Sequence, residues 1–198
     1  MRVCNRSVAW GAVVWLGVAS VSAADGDLRL IEAVKHQNHD TVRVLLGQDV
    51  DVDATEGDGA TALHWAVVRN DADVVDSLLR AGADVNAAND YGVTAISLAC
   101  VNRNAPMVET LLAQGADPNA ATSMGETLIM TCSGTGSADA VAALFDHGAI
   151  NVNAAEASYG QTALMRAAAH EDSAVVRLLL AHGADVHARS TTYLLPVS

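Results

Sequence analysis

The stretch LLRAGADVNAANDYGVTAISLA, Leu78 to Ala99, is followed by LLAQGADPNAATSMGETLIMT, Leu111 to Thr131, on the same skeleton. Leu-Leu, Gly-Ala-Asp, Asn-Ala and Gly-x-Thr recur at one fixed offset. Turn glycines stand at Gly59, Gly92, Gly125 and Gly160, and a second series at Gly82, Gly115, Gly148 and Gly183. Both series step by 33, 33 and 35 residues. A period of this length marks a repeat architecture, in which each unit buries its apolar side only against its neighbours.

The extra two residues of the last step lie in GAINVNAAEASYG, a connecting segment. Extended backwards, the frame places Leu45-Leu46 where the Leu pair belongs and defines a further, degenerate unit. The expected units are therefore 25–55, 56–88, 89–121, 122–155 and 157–189.

Local signals divide each unit. Thr61, Thr94, Thr127 and Thr162 precede an apolar, mostly Ala-rich run, where a hydroxyl can cap the free amides of a helix start. A second helix is predicted over ADVVDSLLRAG, APMVETLLAQG, ADAVAALFDHG and SAVVRLLLAHG, each closed by a Gly suited to a left-handed turn. The Asp- and Asn-rich segment that follows is too short for another helix and is read as an extended turn.

These residues resemble the ankyrin repeat, whose most recognisable pieces are matched by TALH at Thr61 to His64 and GADVNA at Gly82 to Ala87. The resemblance spans about 25–189 and implies an all-α solenoid of stacked antiparallel helix pairs with hairpin-like fingers and a concave face for partners. The chain departs from the family pattern in three places. Ala62, Ala95, Leu128 and Ala163 follow the capping Thr where the family has Pro. The motif histidine survives only as His64, replaced by Ser97, Met130 and Met165. The break between helices, usually Gly, is Asn70, Arg103, Gly136 and Glu171.

The N-terminus reads differently. Arg2 and Arg6 precede an uncharged, mostly apolar run from Ser7 to Ala24 that ends in Val21-Ser22-Ala23-Ala24. This is the pattern of a secretory signal peptide over 1–24, and the expectation is an exported, periplasmic or secreted protein that meets the membrane only in transit. An uncleaved membrane anchor is the competing reading. At the other end, 190–198 reads as the degenerate start of a sixth repeat. The last apolar face would then lack a polar cap, which leaves room for self-association or for a longer array of which this chain is a segment.

The chain carries 11 Lys and Arg against 23 Asp and Glu, and losing Arg2 and Arg6 leaves a net charge of -14. Such a surface repels phosphate backbones, so no nucleic-acid partner is expected. Cys100 and Cys132 match Val67 and Ala66 in the frame. Neighbouring helices pack about 10 Å apart, beyond the roughly 7 Å Cα limit for bridging, so both are read as small buried apolar residues.

Nucleophile-elbow, phosphate-loop and zinc-protease motifs are absent from the sequence, and the His36/His39 and His182/His187 pairs have no diagnostic third ligand. No cofactor or metal is expected, His147 and His182 are read as helix caps, and an enzymatic or metal-dependent role is the weaker alternative. Function is placed instead at the family's variable contact positions. Carried over unit by unit, these give Asp58, Arg69, Asp90, Tyr91, Asn102, Met124, Glu126, Tyr159, Gln161 and His170, with a protein as partner. Tyr91, Met124 and Tyr159 share one slot in three consecutive fingers, forming a ladder of large side chains of a type common at binding hot spots.

Overall fold

The computed structural model describes residues 28–191; residues 1–24, read above as a signal peptide, and most of 190–198, read as the start of a sixth repeat, lie outside them. Ten helices are found among the described residues, in pairs: α1 (Arg29–Lys35) with α2 (His39–Leu46), α3 (Ala62–Val68) with α4 (Ala72–Arg80), α5 (Ala95–Val101) with α6 (Ala105–Ala113), α7 (Leu128–Thr135) with α8 (Ala138–His147), and α9 (Ala163–Ala169) with α10 (Ser173–Ala181). One pair falls in each predicted unit. The first helices stack in the order α1, α3, α5, α7, α9, and α2 on α4 and α6 on α8 on α10 form the second layer. The result is the expected all-α solenoid.

Its core is continuous. Leu63, Leu78, Ile96, Leu111, Leu128, Ile129, Leu144 and Leu179 are at most 2% exposed, and alanines fill the contacts between first helices: Ala62, Ala66, Ala99, Ala163 and Ala167 are fully buried. Cys100 and Cys132 occupy the same small-residue layer and are also fully buried. Contrary to the sequence expectation, they are joined as a disulfide, with Cα atoms 4.8 Å apart. The 10 Å figure describes helix axes, whereas small side chains let two facing Cα atoms approach far more closely.

The capping threonines sit where the sequence places them, each at the N-cap of a first helix. Thr61 forms a capping box with His64, and Thr94 does so with Ser97. Thr127 faces Met130 at that position, which offers no acceptor, and its buried hydroxyl has no protein partner. His64 also braces the next unit. Its Nδ1 accepts from the Thr61 N–H at 3.2 Å, and Nε2 lies 2.9 Å from the Val93 carbonyl. A ring nitrogen facing an N–H must accept and one facing a carbonyl must donate, so the network selects the neutral ring with its proton on Nε2. Burial pushes the His64 pKa below 6.5, outweighing the carbonyl's opposite pull.

The Gly-Ala-Asp-x-Asn motif is a joint between units. Asp84 and Asp117 each accept the backbone N–H two residues on. Asn86 then donates to the Gly115 carbonyl and accepts from the Asp117 N–H in the next unit. Asn119 donates to Ala149, and Asn153 bonds Gly183 and Asp185 in the same manner. The position of Asn153 divides the two extra residues of the last step: one precedes it, and one widens the finger from Glu156 to Gln161.

The first of these changes one predicted cap. Gly82, Gly115 and Gly183 have the left-handed φ expected after a helix, but Gly148 is extended at φ -179. There α8 runs on to His147 and the chain leaves straight, with Pro118 so close that a Cβ on Gly148 would stand 2.9 Å from its Cγ. His147 and His182 do cap their helices, each placing Nδ1 within 2.9 Å of a carbonyl one turn back, Ala143 and Leu178.

Left-handed backbone recurs at every inter-helix break: Gln37, Asn70, Arg103, Gly136 and Glu171 have φ between 52 and 72. Only one of these five is glycine. The Arg103 side chain reaches the Gly136 carbonyl, whereas Glu171 is exposed with its side chain in solvent.

Two outcomes are expected. Glu171→Gly should raise stability by about 0.5–1 kcal/mol, the left-handed cost for a Cβ-bearing residue less glycine's extra chain entropy, read as a higher denaturant midpoint. A folded His64 pKa below its unfolded value means its contribution is complete above about 6.5 and is lost as pH falls through the lowered value. The thermal midpoint should therefore drop between about pH 7.5 and about pH 5.5, and less steeply in His64→Ser, which copies the Thr94–Ser97 cap; equal slopes would remove His64 as the cause.

Candidate functional site

The fingers are tight hairpins braced by side-chain acceptors. Asn89 accepts the N–H groups of Tyr91 and Val93, Thr122 that of Glu126, and Asp58 that of Ala60. In the widened last finger Glu156 is buried and takes three, from Ser158 at 2.6 Å, Tyr159 at 2.7 Å and Gln161 at 3.2 Å. Burial alone would raise the Glu156 pKa, but these donors hold it below its ordinary value.

Consecutive fingers are hydrogen-bonded to one another through their tips. The carbonyls of Asp58, Tyr91, Met124 and Tyr159 accept from the backbone N–H of Asp90, Ser123, Ala157 and Thr191 at 2.9, 2.9, 3.2 and 2.7 Å. Glycine follows the tip because φ is positive there, and at Gly92 a Cβ would also stand 2.8 Å from the Ser123 nitrogen. The backbone of this row is thus engaged while its side chains point out: Tyr91 is 64% exposed, Met124 62% and Tyr159 57%. Asp58 and Asp90 are exposed beside them.

A recess of about 540 Å³ opens where the first helices meet the finger bases, lined by Val101, Glu126, Thr131, Gly134, Thr135, Gln161, Met165, Arg166, Ala169 and His170. It gathers Glu126, Gln161 and His170 from the sequence-predicted set. The arrangement is polar and internally paired: Glu126 Oε1 accepts from Arg166 Nη1 at 2.6 Å and from the Thr131 hydroxyl at 3.1 Å. Arg166 Nε is buried without a protein acceptor.

Arg69 and Asn102 lie elsewhere, at the C-caps of α3 and α5. Arg69 is exposed, while the Asn102 amide is spent within the stack, donating to the Val67 carbonyl at 2.8 Å. Asn102 is a joint between units before it is a contact residue. The histidine pairs are similarly occupied: His39 bonds Asp71 at 2.6 Å, and the His182 ring stacks on Phe145 at 3.7 Å. Among the described residues no three His, Cys, Asp or Glu side chains converge as a metal site requires.

Sequence reasoning missed Arg166 and a second charged group, in which Glu56 accepts from Lys35 Nζ and from Trp65 Nε1 at 2.7 Å while Lys35 lies 4.6 Å from the Trp65 ring centroid. The hydrogen bond and charge of Glu56 hold the Lys35 pKa above its ordinary value. The signal was present: Trp65, Leu98, Thr131 and Arg166 are one column of the frame, and two of its four members are outsized for a helix otherwise built of small residues.

The family model for ankyrin repeats, in three copies, matches residues 30–122 and 115–190. The chain belongs to the ankyrin-repeat family. Comparison with curated proteins gave no match. Ankyrin repeats generally mediate protein–protein contacts and are typically non-catalytic.

The pair in the recess has a measurable consequence. Glu126→Ala should destabilise the ankyrin array by roughly 1–3 kcal/mol by stranding a half-buried guanidinium, while adding Arg166→Met should recover most of the loss. A double mutant no more stable than Glu126→Ala would show that the pair is not coupled.

Proposed function

We propose that the protein is an exported, non-catalytic ankyrin module that binds a partner protein through its finger tips, with the recess as the adjoining part of the surface. The observation that carries this reading is the row Tyr91, Met124 and Tyr159: three large side chains, each more than half exposed, in one slot of three successive fingers. Single exposed apolar side chains are ordinary, but a row of them in one slot of successive units is the kind of patch that marks an interaction surface, and aromatic and Met residues are enriched where partners dock. Asp58, Asp90, Glu126, Gln161 and His170 flank the row or line the recess, and Arg69 extends the surface toward the first unit.

Export is supported by the basic, apolar and small-residue order of 1–24 and by the Cys100–Cys132 disulfide, since such bonds persist in oxidising compartments. The signal would be removed on transit, leaving the acidic repeat array.

Affinity capture of the tagged, exported protein is the test, with the Tyr91→Ala/Tyr159→Ala variant alongside and circular dichroism to verify its fold. The expected result is one or more proteins retained by the wild type and lost with the folded variant. Identical retention by both would remove the tip row from the binding surface, and melting of the variant would make the tyrosines structural.

A further inference from the structure

The tip row has a spacing and a charge that narrow what lies on it. Neighbouring units pack their helices at about 8–10 Å, and the fingers follow. Each tip carbonyl is hydrogen-bonded to the residue before the next tip, or two before it in the widened finger. Where it is the residue before, a pairing distance of roughly 5 Å plus one Cα step of about 3.8 Å allows at most about 9 Å per tip, and between Met124 and Tyr159, where the finger is widened, a second step allows more. An extended strand repeats side chains on one face every roughly 6.6 Å, and an α-helix turns every 5.4 Å. A polyproline II helix has three residues per turn at 3.1 Å, about 9.3 Å, and so brings one side chain per turn to one tip.

The chemistry agrees with the geometry. Tyrosine rings and a thioether present flat or pliable apolar surface of the kind on which proline rings pack, and aromatic-lined surfaces are a recurring way to read proline-rich segments. The rail is already rigid, because its backbone is hydrogen-bonded from finger to finger and within each hairpin, so little ordering cost falls on this side of the complex. The fingers also lack cationic side chains. Residues 49–60, 82–94, 115–127 and 149–162 contain no lysine or arginine, while Asp58 and Asp90 stand exposed at the start of the row, in a chain of net charge -12.

We infer that the Tyr91, Met124, Tyr159 row is a docking rail for a basic, proline-rich segment of the partner, held as a polyproline II helix along the stacking direction. This rests on the protein-binding reading above and adds the class of ligand. One ridge of the segment covers the three tips, and its cationic side chains face the carboxylates of Asp58 and Asp90.

The methionines make the test site-specific. Met124 lies on the rail, Met165 lines the recess, and Met107 and Met130 are buried at 3% and 0% exposure. Methyl-labelled methionine NMR of the folded protein would follow titration with a Pro-Pro-Lys repeat peptide, with Gly-Gly-Lys and Pro-Pro-Glu peptides of equal length as controls. The Met124 methyl should shift with Pro-Pro-Lys while Met107, Met130 and Met165 stay in place. Gly-Gly-Lys, equally charged but not preorganised, should need roughly tenfold more peptide, and Pro-Pro-Glu should have no effect. Tyr91→Ser with Tyr159→Ser should abolish the shift, and the wild-type titrations decide the matter even if that variant does not fold. An equal response to Gly-Gly-Lys, a shift at Met165 in place of Met124, or no shift would overturn the inference. If a protein is captured in a tyrosine-dependent way and the peptide still leaves Met124 unmoved, partner binding stands and the polyproline II assignment falls.

Discussion

Close contact between first helices is the constraint on which everything else in this molecule depends. Each is only seven or eight residues long, too short to be stable by itself in water. Each becomes stable by burying a small-residue face against the next, and that face is written in alanine, glycine, serine and cysteine. The longer second helices carry the leucines and valines that close the other layer. Because the first helices approach so closely, the loops leaving them are brought within hydrogen-bonding range, and the fingers become a connected row.

Most of the fold was legible because repetition amplifies weak signals. One Thr before an apolar run is ambiguous, but Thr61, Thr94, Thr127 and Thr162 in register are a statement about four stacked units. The features that escaped are those a periodic frame cannot express. The Cys100–Cys132 bridge joins two non-equivalent columns of the frame, and its feasibility depends on Cα separation at one contact, which an average helix spacing misstates. Gly148 departs from its sisters because an inserted residue downstream relieved the chain of its sharp turn. Asn70, Arg103 and Glu171 were visible as departures at the inter-helix breaks, but only the backbone shows that they, and Gln37 in the first unit, keep glycine's conformation.

The site was read with the same strengths and gaps. Position in the finger predicted exposure well, since a tip in a tight turn whose backbone is bonded to its neighbours has nowhere to bury its side chain. Position in the helix predicted less. Asn102 stands at a family contact position yet is consumed by the Val67 carbonyl, and Arg166 stands outside those positions yet shapes the recess through Glu126. Hydrogen-bond demand, which depends on what the neighbouring unit happens to offer, decides such cases.

A stack of this kind is a one-dimensional object, held only by nearest-neighbour interfaces and therefore prone to peel from its ends. The covalent link between α5 and α7 falls between the third and fourth of the five units. It ties these two units covalently, so that neither can separate fully from the other while the bond stands. The Met124 finger bridges the clamped pair of units, with the Tyr91 and Tyr159 fingers on either side. The tip row proposed for partner binding is thereby centred over the covalently tied pair of units.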